Sequence, residues 1–159
     1  MTLVHVVDSA ASAWPWWADF VLCYPDGEYA NVKLAPPNAH IIQITVTGLS
    51  GVRWCDCENG TLTVADTAQW AVNEYTAGRH PGIYCSLDRR GPIERELDSL
   101  RHGASIADWW LADPDGSTII PAGWNAKQFS WPAPNHPVVA GQRYDVSVMY
   151  LECALEADQ

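Results

Sequence analysis

Two carboxylates, Asp56 and Glu58, lie two residues apart in the stretch WCDCENG, which otherwise begins with apolar residues and thiols. In a β-strand, residues two apart point to the same face. Both acids would therefore face one side of a sheet, and Cys55 and Cys57 would face the other, against covering helices. Burying two carboxylates without a purpose is costly, so this alternation indicates a pair of functional acids presented at the end of a strand.

Other acids occupy comparable positions. Asp8 ends the first apolar run, Asp26 follows the second, and Asp145 lies early in the last. Several carboxylates at one barrel mouth would raise one another's pKa, as a general acid near neutral pH requires. One protonated and one ionised carboxylate are the working set of glycoside hydrolysis. Taken alone, Asp26 and Asp113 are better interpreted as turn formers, although Asp26 stays among the candidate substrate-binding residues.

Eight short apolar runs supply candidate strands for a single domain that spans 1–159. Each run is rich in β-branched and aromatic residues and is bounded by Gly, Pro, Asn or Asp, which is typical of strands. Their near-continuous apolarity indicates strands buried on both faces, as in a parallel sheet. The runs occupy 3–8, 20–27, 41–48, 52–60, 81–86, 108–116, 125–131 and 144–150.

Helices are expected between some of these strands. The apolar spacing over 63–77 predicts one helix, with Thr63 as its N-cap and Gly78 just beyond its end. A second helix is predicted from Pro92 to His102, because proline is tolerated in a first helical turn. A third, shorter helix is predicted within 10–19.

The repeated order of strand, helix and strand predicts an α/β fold with right-handed crossovers. Eight such strands favour a TIM-like (β/α) barrel with mainly parallel strands. The chain has only 159 residues, whereas a typical barrel of this kind needs about 250. The stretch 28–40 is too short for a full helix. The expected barrel is therefore small and compressed, with several crossovers reduced to loops, and an open doubly wound sheet is the alternative.

The charge balance is acidic, with a net charge of −10 and only two lysines, Lys33 and Lys127. Nucleic-acid binding depends on basic side chains that neutralise phosphates, so we expect no nucleic-acid partner. No apolar run reaches the roughly 20 residues that a membrane helix needs. The first residues lack the basic and apolar regions of a signal peptide. We therefore expect a soluble protein without a membrane partner or a secretion signal.

Five cysteines, an odd number without a CxxC pair, argue against a disulfide framework and for buried free thiols. A metal site is an alternative, because four of the thiols fall on candidate strands and His80 and His102 are available. The spacing is not that of a zinc finger, and we expect neither a metal nor another cofactor. The four thiols are Cys23, Cys55, Cys57 and Cys85.

Nine tryptophans are prominent in the composition. Most would serve in packing, and some would offer flat platforms for a ring-shaped ligand such as a sugar. Trp124 and Trp131 flank Gln128 in sequence and would line the mouth of the expected barrel, with core or edge packing as the alternative.

Several short motifs occur in an order and spacing that are specific when taken together. With them, the chain resembles the family-25 glycoside hydrolases, which are lysozymes of the N-acetylmuramidase type, and their shorter relatives common in actinobacterial phages. The resemblance covers roughly 50–148. The motifs are D-C-E at 56–58, a helix containing Trp70, P-G-I-Y-C-S at 81–86, W-W-L-A-D at 109–113, A-K-Q-F at 126–129 and Y-D-V-S at 144–147.

The resemblance implies a β/α barrel that cleaves the glycosidic bond of bacterial cell-wall glycan. Glu58 would be the general acid, and Asp56 beside it would position or stabilise the reacting groups. Asp145 matches the acid of the family's last strand, and Asp8 would match that of the first. The implied substrate-binding residues are Tyr84, Trp110 and Gln128, and the reasoning from residues adds Asp26 and Trp124.

The first strand departs from the family's pattern, in which Asp-x-Ser is followed shortly by Gln. Here Asp8-Ser9-Ala10 is followed by no such residue. The alternative function is therefore a catalytically inactive barrel that binds glycan or serves as a capsid- or tail-associated module of a phage, with other virion proteins as partners. The expected location is the host cytoplasm before release, or the virion.

Overall fold

The computed structural model describes residues 2–9, 14–130 and 144–157, and its centre is a closed barrel of eight strands. All eight candidate strands are confirmed, each somewhat shorter than or equal to its predicted run. They are β1 (Leu3–Asp8), β2 (Phe20–Cys23), β3 (Ile41–Thr45), β4 (Trp54–Cys57), β5 (Gly82–Ser86), β6 (Asp108–Ala112), β7 (Ala126–Ser130) and β8 (Asp145–Tyr150).

The strands pair in chain order around the barrel, and β8 closes it against β1. The pairs from β1–β2 through β6–β7 are parallel. The last strand, β8, runs antiparallel to both β7 and β1, so the sheet is mixed. This reversal places Asp145, the first residue of β8, directly opposite Asp8, the last residue of β1.

Two of the three described α-helices were predicted. The first, α1 (Val64–Thr76), begins after Thr63, whose hydroxyl accepts a hydrogen bond from the Asp66 N–H at 3.2 Å. Gly78 follows its end with a φ of +81°, which glycine adopts without strain. These features confirm the predicted caps.

The second helix, α2 (Leu87–Ser99), begins earlier than predicted, directly after β5. The prediction that Pro92 opens this helix was wrong. The fixed φ of proline also fits a helix interior. Because proline has no backbone N–H, the helix lacks the hydrogen bond that residue 92 would donate to the Asp88 carbonyl.

The remaining helix, α3 (Leu151–Ala157), follows β8 and contacts β1, β3 and β8. Because β8 runs antiparallel, α3 starts at the amino-terminal end of the parallel strands, where Cys153 and Ala154 join the apolar filling of the barrel. The helix predicted within 10–19 is absent over 14–19, which forms turns, and residues 10–13 lie outside the described residues. The short 28–40 connection contains only a 3₁₀ turn, Val32–Leu34.

Two apolar layers hold the barrel. The inner layer fills the barrel and includes Trp54, which packs edge-on against Trp110 at 5.4 Å between ring centroids. Gly82 leaves room for this ring, because a Cβ there would lie 2.3 Å from a Trp54 ring atom. The outer layer lies between the sheet and the helices, and it contains Cys55 and Cys57 with both side chains fully buried. The prediction that these thiols face the helices is confirmed.

None of the helices in the described parts of the chain has both the length and the apolarity needed to cross a bilayer.

Candidate active site

A small cavity opens at the end of the barrel where the parallel strands finish, and its volume is about 70 Å³. It brings together seven of the nine site residues that the sequence predicted, including all four candidate catalytic acids. Antiparallel β8 is essential to this, because it brings the start of its strand to the end of β1. The lining residues are Asp8, Leu22, Tyr24, Ile44, Asp56, Glu58, Tyr84, Trp110, Gln128, Asp145 and Ser147.

Asp56 and Glu58 both line the cavity, as their spacing of two residues predicted. Asp56 lies on β4 with only 7% of its surface exposed, whereas Glu58 follows the strand and is half-buried. Burial, followed by the charge of Glu58, raises the pKa of Asp56 to about 7, and a hydrogen bond from Thr61 opposes the shift. Burial also raises the pKa of Glu58, against the opposing charge of Arg89.

The other two acids face each other across the β1–β8 pair. Burial raises the pKa of Asp8 to about 6, although the Tyr24 hydroxyl donates a hydrogen bond of 2.5 Å to its Oδ2. Burial, followed by the charges of Asp8 and Glu58, raises the pKa of Asp145 to about 7. Near neutral pH, the cavity therefore holds protonated and ionised carboxyl groups side by side.

A chain of hydrogen bonds fixes Asp145 in place. The Tyr84 hydroxyl donates to Gln128 Oε1, and the Gln128 side chain hydrogen-bonds Asp145, which favours its ionised form. Beside this chain, the Trp110 Nε1–H donates to Ser147 Oγ at 3.2 Å. The Trp110 ring meets the Tyr84 ring edge-on, with 5.6 Å between centroids. The aromatic residues predicted for this site thus orient one another and their polar neighbours.

Sequence reasoning missed three residues that act on the cavity acids. Tyr24 lies two residues after Leu22 on the same face, so the two-residue rule that selected Asp56 and Glu58 would also have found it. No pattern in the sequence indicates Thr61. Its hydroxyl accepts a hydrogen bond from the Glu58 N–H at 2.7 Å and lies 3.3 Å from Asp56 Oδ1.

Arg89, the third missed residue, comes from the first turns of α2. Its guanidinium donates to Asn59 Oδ1 at 2.6 Å and lies 3.7 Å from Cys57 Sγ. Its charge opposes the rise in the pKa of both Asp56 and Glu58. Arg89 therefore keeps the pKa of Asp56 and of Glu58 lower than burial would otherwise make it.

Asp26 was predicted to bind substrate, but it does not line the cavity. Its carboxylate accepts hydrogen bonds from the Thr45 hydroxyl, from the Thr47 hydroxyl at 2.5 Å and from the Val46 N–H at 3.1 Å. Burial would raise its pKa, and these hydrogen bonds more than offset that effect and lower it. Asp26 therefore joins the loop after β2 to the end of β3, in agreement with the turn-former interpretation.

Trp124 also lies elsewhere. It precedes β7 and belongs to the outer apolar layer, where its ring meets the Trp109 ring edge-on at 6.2 Å. The Arg90 guanidinium lies 4.6 Å from the centre of the Trp124 ring. The expectation that Trp124 lines the mouth is corrected to the packing alternative, and Trp131 lies outside the described residues. Asp113 lies 3.4 Å from Lys127 Nζ, away from the cavity lining.

The cysteines show no arrangement for a metal. All five are free and buried, and this includes Cys153 near the end of the chain. Within residues 2–9, 14–130 and 144–157, no group of three or more His, Cys, Asp or Glu side chains is placed to hold a metal ion.

Comparison with known family models, curated proteins and solved structures returned no match to this chain. The likeness to family-25 glycoside hydrolases therefore stays a prediction based on short motifs. The case for a function depends on the chemistry of the cavity.

Proposed function

We propose that this chain is a glycoside hydrolase directed at bacterial cell-wall glycan, muramidase- or lysozyme-like, with Glu58 as its general acid. The observation that carries the proposal is the set of four carboxyl groups around one cavity, all with a raised pKa. Titratable groups perturbed by burial and by one another cluster at catalytic sites. In this proposal the barrel is a compressed relative of the TIM-like (β/α) fold, with several crossovers reduced to loops.

Glu58 is the best-placed proton donor of the four. It follows the end of β4 and is half-buried, whereas Asp56 lies deeper. A general acid must reach the leaving oxygen and still be protonated near neutral pH. The raised pKa of Glu58 favours the protonated form, and the Glu58 N–H bond to Thr61 fixes the backbone that carries it.

The remaining acids supply negative charge. The transition state of glycoside hydrolysis resembles an oxocarbenium ion and carries positive charge. Ionised carboxylates around the cavity repel one another in the resting protein, and a positive charge that develops on the sugar over the mouth offsets this repulsion. Asp8 and Asp145 suit this role, because Tyr24 and Gln128 hydrogen-bond their ionised forms. Enzymes commonly gain more of their rate enhancement from such preorganised electrostatic stabilisation than from any other single effect.

In this proposal the cavity holds water, and the sugar binds at its mouth. A volume of about 70 Å³ holds no more than a few water molecules. In the proposed complex the glycan lies over the mouth, and its scissile bond is within reach of Glu58. Water for hydrolysis enters from the cavity below.

The proposal is tested by digesting purified peptidoglycan, preferably actinobacterial, and measuring new reducing ends. We expect release by the wild type and a loss of at least about 100-fold in Glu58→Gln, because general acid catalysis contributes roughly 10²- to 10⁴-fold. Glu96→Gln, an exposed acid on α2, is the matched control and should keep full activity. Circular dichroism checks that each variant is folded. Equal release by the wild type and Glu58→Gln would refute the assignment.

The second candidate is a catalytically silent barrel that binds glycan or belongs to a virion. The specific observation in its favour is the small cavity, which admits no sugar ring. Binding to peptidoglycan without any release of reducing ends would support this alternative. Co-purification with virions would then identify its partners.

A further inference from the structure

One exposed aromatic ring lies beside the cavity, on the loop between β2 and β3. The side chain of Tyr29 is 47% exposed, and its ring centroid lies 5.9 Å from that of Tyr24, which lines the cavity. The other rings that line the cavity have no comparable free face. Trp110 is buried, and Tyr84 is held between Trp110 and Gln128.

The loop that carries Tyr29 is fixed on the side of β1. Asn31 is buried, and its side-chain Oδ1 accepts from the Tyr24 N–H at 2.9 Å. Its Nδ2 donates to the Ser9 carbonyl at 3.1 Å, and its backbone N–H donates to the Tyr24 carbonyl at 2.9 Å. These bonds close the loop on itself and join it to the end of β1.

The same loop is fixed on the side of β3. Asp26 accepts hydrogen bonds from the backbone and hydroxyl of Thr47 and from the Val46 N–H. Gly27 makes the turn between these anchors with a φ of +73°, which favours glycine. Two independent anchors for a loop of this length indicate that the backbone that carries Tyr29 is held in position before any ligand binds.

We propose that Tyr29 is the stacking platform for one pyranose ring of a neutral glycan strand lying across the cavity mouth. This inference rests on the proposed function. The cavity is too small for a sugar ring, so recognition falls to residues at its rim. A half-exposed aromatic ring offers a flat apolar face at little conformational cost.

The charge around the platform selects the class of glycan. The mouth carries the four cavity acids, and Glu28 lies beside Tyr29. Arg89 is the cation whose charge acts on the β4 acids. Like charges are disfavoured at such a surface. The platform therefore suits N-acetylated sugars whose carboxyl groups are absent or in amide linkage, and it disfavours a polymer with a free carboxylate on every second unit.

The test uses the full chain with Glu58→Gln, which should slow turnover by at least about 100-fold, and measures binding of the tetrasaccharide of β-1,4-linked N-acetylglucosamine by calorimetry. Adding Tyr29→Ala should weaken binding by about 10-fold, the equivalent of roughly 1.4 kcal/mol. Tyr29→Phe keeps the ring and should bind within about twofold. Tyr75→Ala is the matched control, because Tyr75 is also a tyrosine, is 46% exposed and lies on α1. A tetrasaccharide that alternates a uronic acid with N-acetylglucosamine should bind more weakly at low salt.

The outcomes separate this inference from the proposed function. Hydrolysis by the wild type with unchanged binding in Tyr29→Ala would overturn the platform and leave the hydrolase intact. Binding that depends on Tyr29 without any hydrolysis would overturn the hydrolase and keep the platform. In an active enzyme, the loss in Tyr29→Ala should appear in KM and not in kcat. Tighter binding of the uronic-acid probe would overturn the preference for neutral sugars.

Discussion

Two buried carboxylates in this barrel have opposite electrostatic surroundings. Glu74 on α1 is 1% exposed, and Asp56 on β4 is 7% exposed. Burial would raise the pKa of Glu74, but hydrogen bonds from Arg79, Ser50 and the Gly51 N–H more than offset this and lower it. The pKa of Asp56 is raised to about 7, first by burial and then by the charges of neighbouring acids. Hydrogen-bond partners hold Glu74 ionised against the effect of burial, whereas burial, with few such partners to oppose it, favours the protonated form of Asp56.

The two carboxylates also differ in whether they hold parts of the fold together. The Glu74 carboxylate joins α1 to the loop between β3 and β4, with 2.8 Å to Ser50 Oγ and 3.1 Å to the Gly51 N–H. Asp56 has a single side-chain partner among the described residues, the Thr61 hydroxyl at 3.3 Å, and it joins no elements in this way. Groups that reduce the stability of the fold and join no structural elements are typical of functional sites.

The largest effect on stability is expected from breaking the Glu74 cluster. Glu74→Ala should lower the free energy of unfolding by about 2 to 4 kcal/mol, because it leaves the Gly51 N–H and the Arg79 guanidinium without their acceptor. Urea denaturation at pH 7 measures the change, with the exposed Glu96→Ala as the control. A loss below about 0.5 kcal/mol, the range of ordinary surface substitutions, would contradict a structural role.

The opposite result is expected for Asp56→Asn. The folded-state pKa of Asp56 is raised to about 7, so between about pH 4 and 7 the native state binds more protons than the unfolded state, and wild-type stability falls as pH rises. Asparagine does not ionise. The variant should be more stable than the wild type by about 1 to 3 kcal/mol at pH 8 and nearly equal to it at pH 4.

Thermal unfolding at the two pH values measures this difference. A variant less stable than the wild type at pH 8 would show that Asp56 is a structural acid like Glu74, and the comparison between the two would fail.

The smallest effect concerns Gln128, which hydrogen-bonds the ionised form of Asp145. Gln128→Met keeps the size of the side chain and removes this bond. The pKa of Asp145 should then rise further above its value of about 7, by roughly 0.5 to 1 unit. Tyr84→Phe leaves the Gln128 amide in place and should shift the pKa of Asp145 less than Gln128→Met does. An unchanged pKa in Gln128→Met would show that burial and the charges of Asp8 and Glu58 set the pKa of Asp145 without a contribution from Gln128.

Much of the barrel could be predicted from the sequence, because its strands are short apolar runs with clear breakers. The two-residue spacing of Asp56 and Glu58 also predicted their shared face correctly, and Thr63 and Gly78 marked the ends of α1. These are local signals, encoded within a few residues of the feature they predict.

The direction of β8 was not encoded locally. Its run looks like the other strands, yet only an antiparallel strand brings Asp145, its first residue, to the mouth beside Asp8. The same limit applies to Asp26 and Trp124, whose partners Thr47 and Trp109 come from other elements. Helix α3 was missed because its seven residues are too few for a clear apolar period.

The most direct test of a catalytic mouth is a titration of the side-chain carboxyl groups by ¹³C NMR, with Asp8, Asp56, Glu58, Asp145 and Glu74 assigned. We predict that Asp56 and Asp145 titrate near pH 7 and Asp8 near pH 6. Glu58 should titrate above the usual range for glutamate, and Glu74 below it. If the mouth acids and Glu74 all titrated in the ordinary range for carboxylates, the mouth would have no special electrostatics, and the case for a catalytic site would lose its basis.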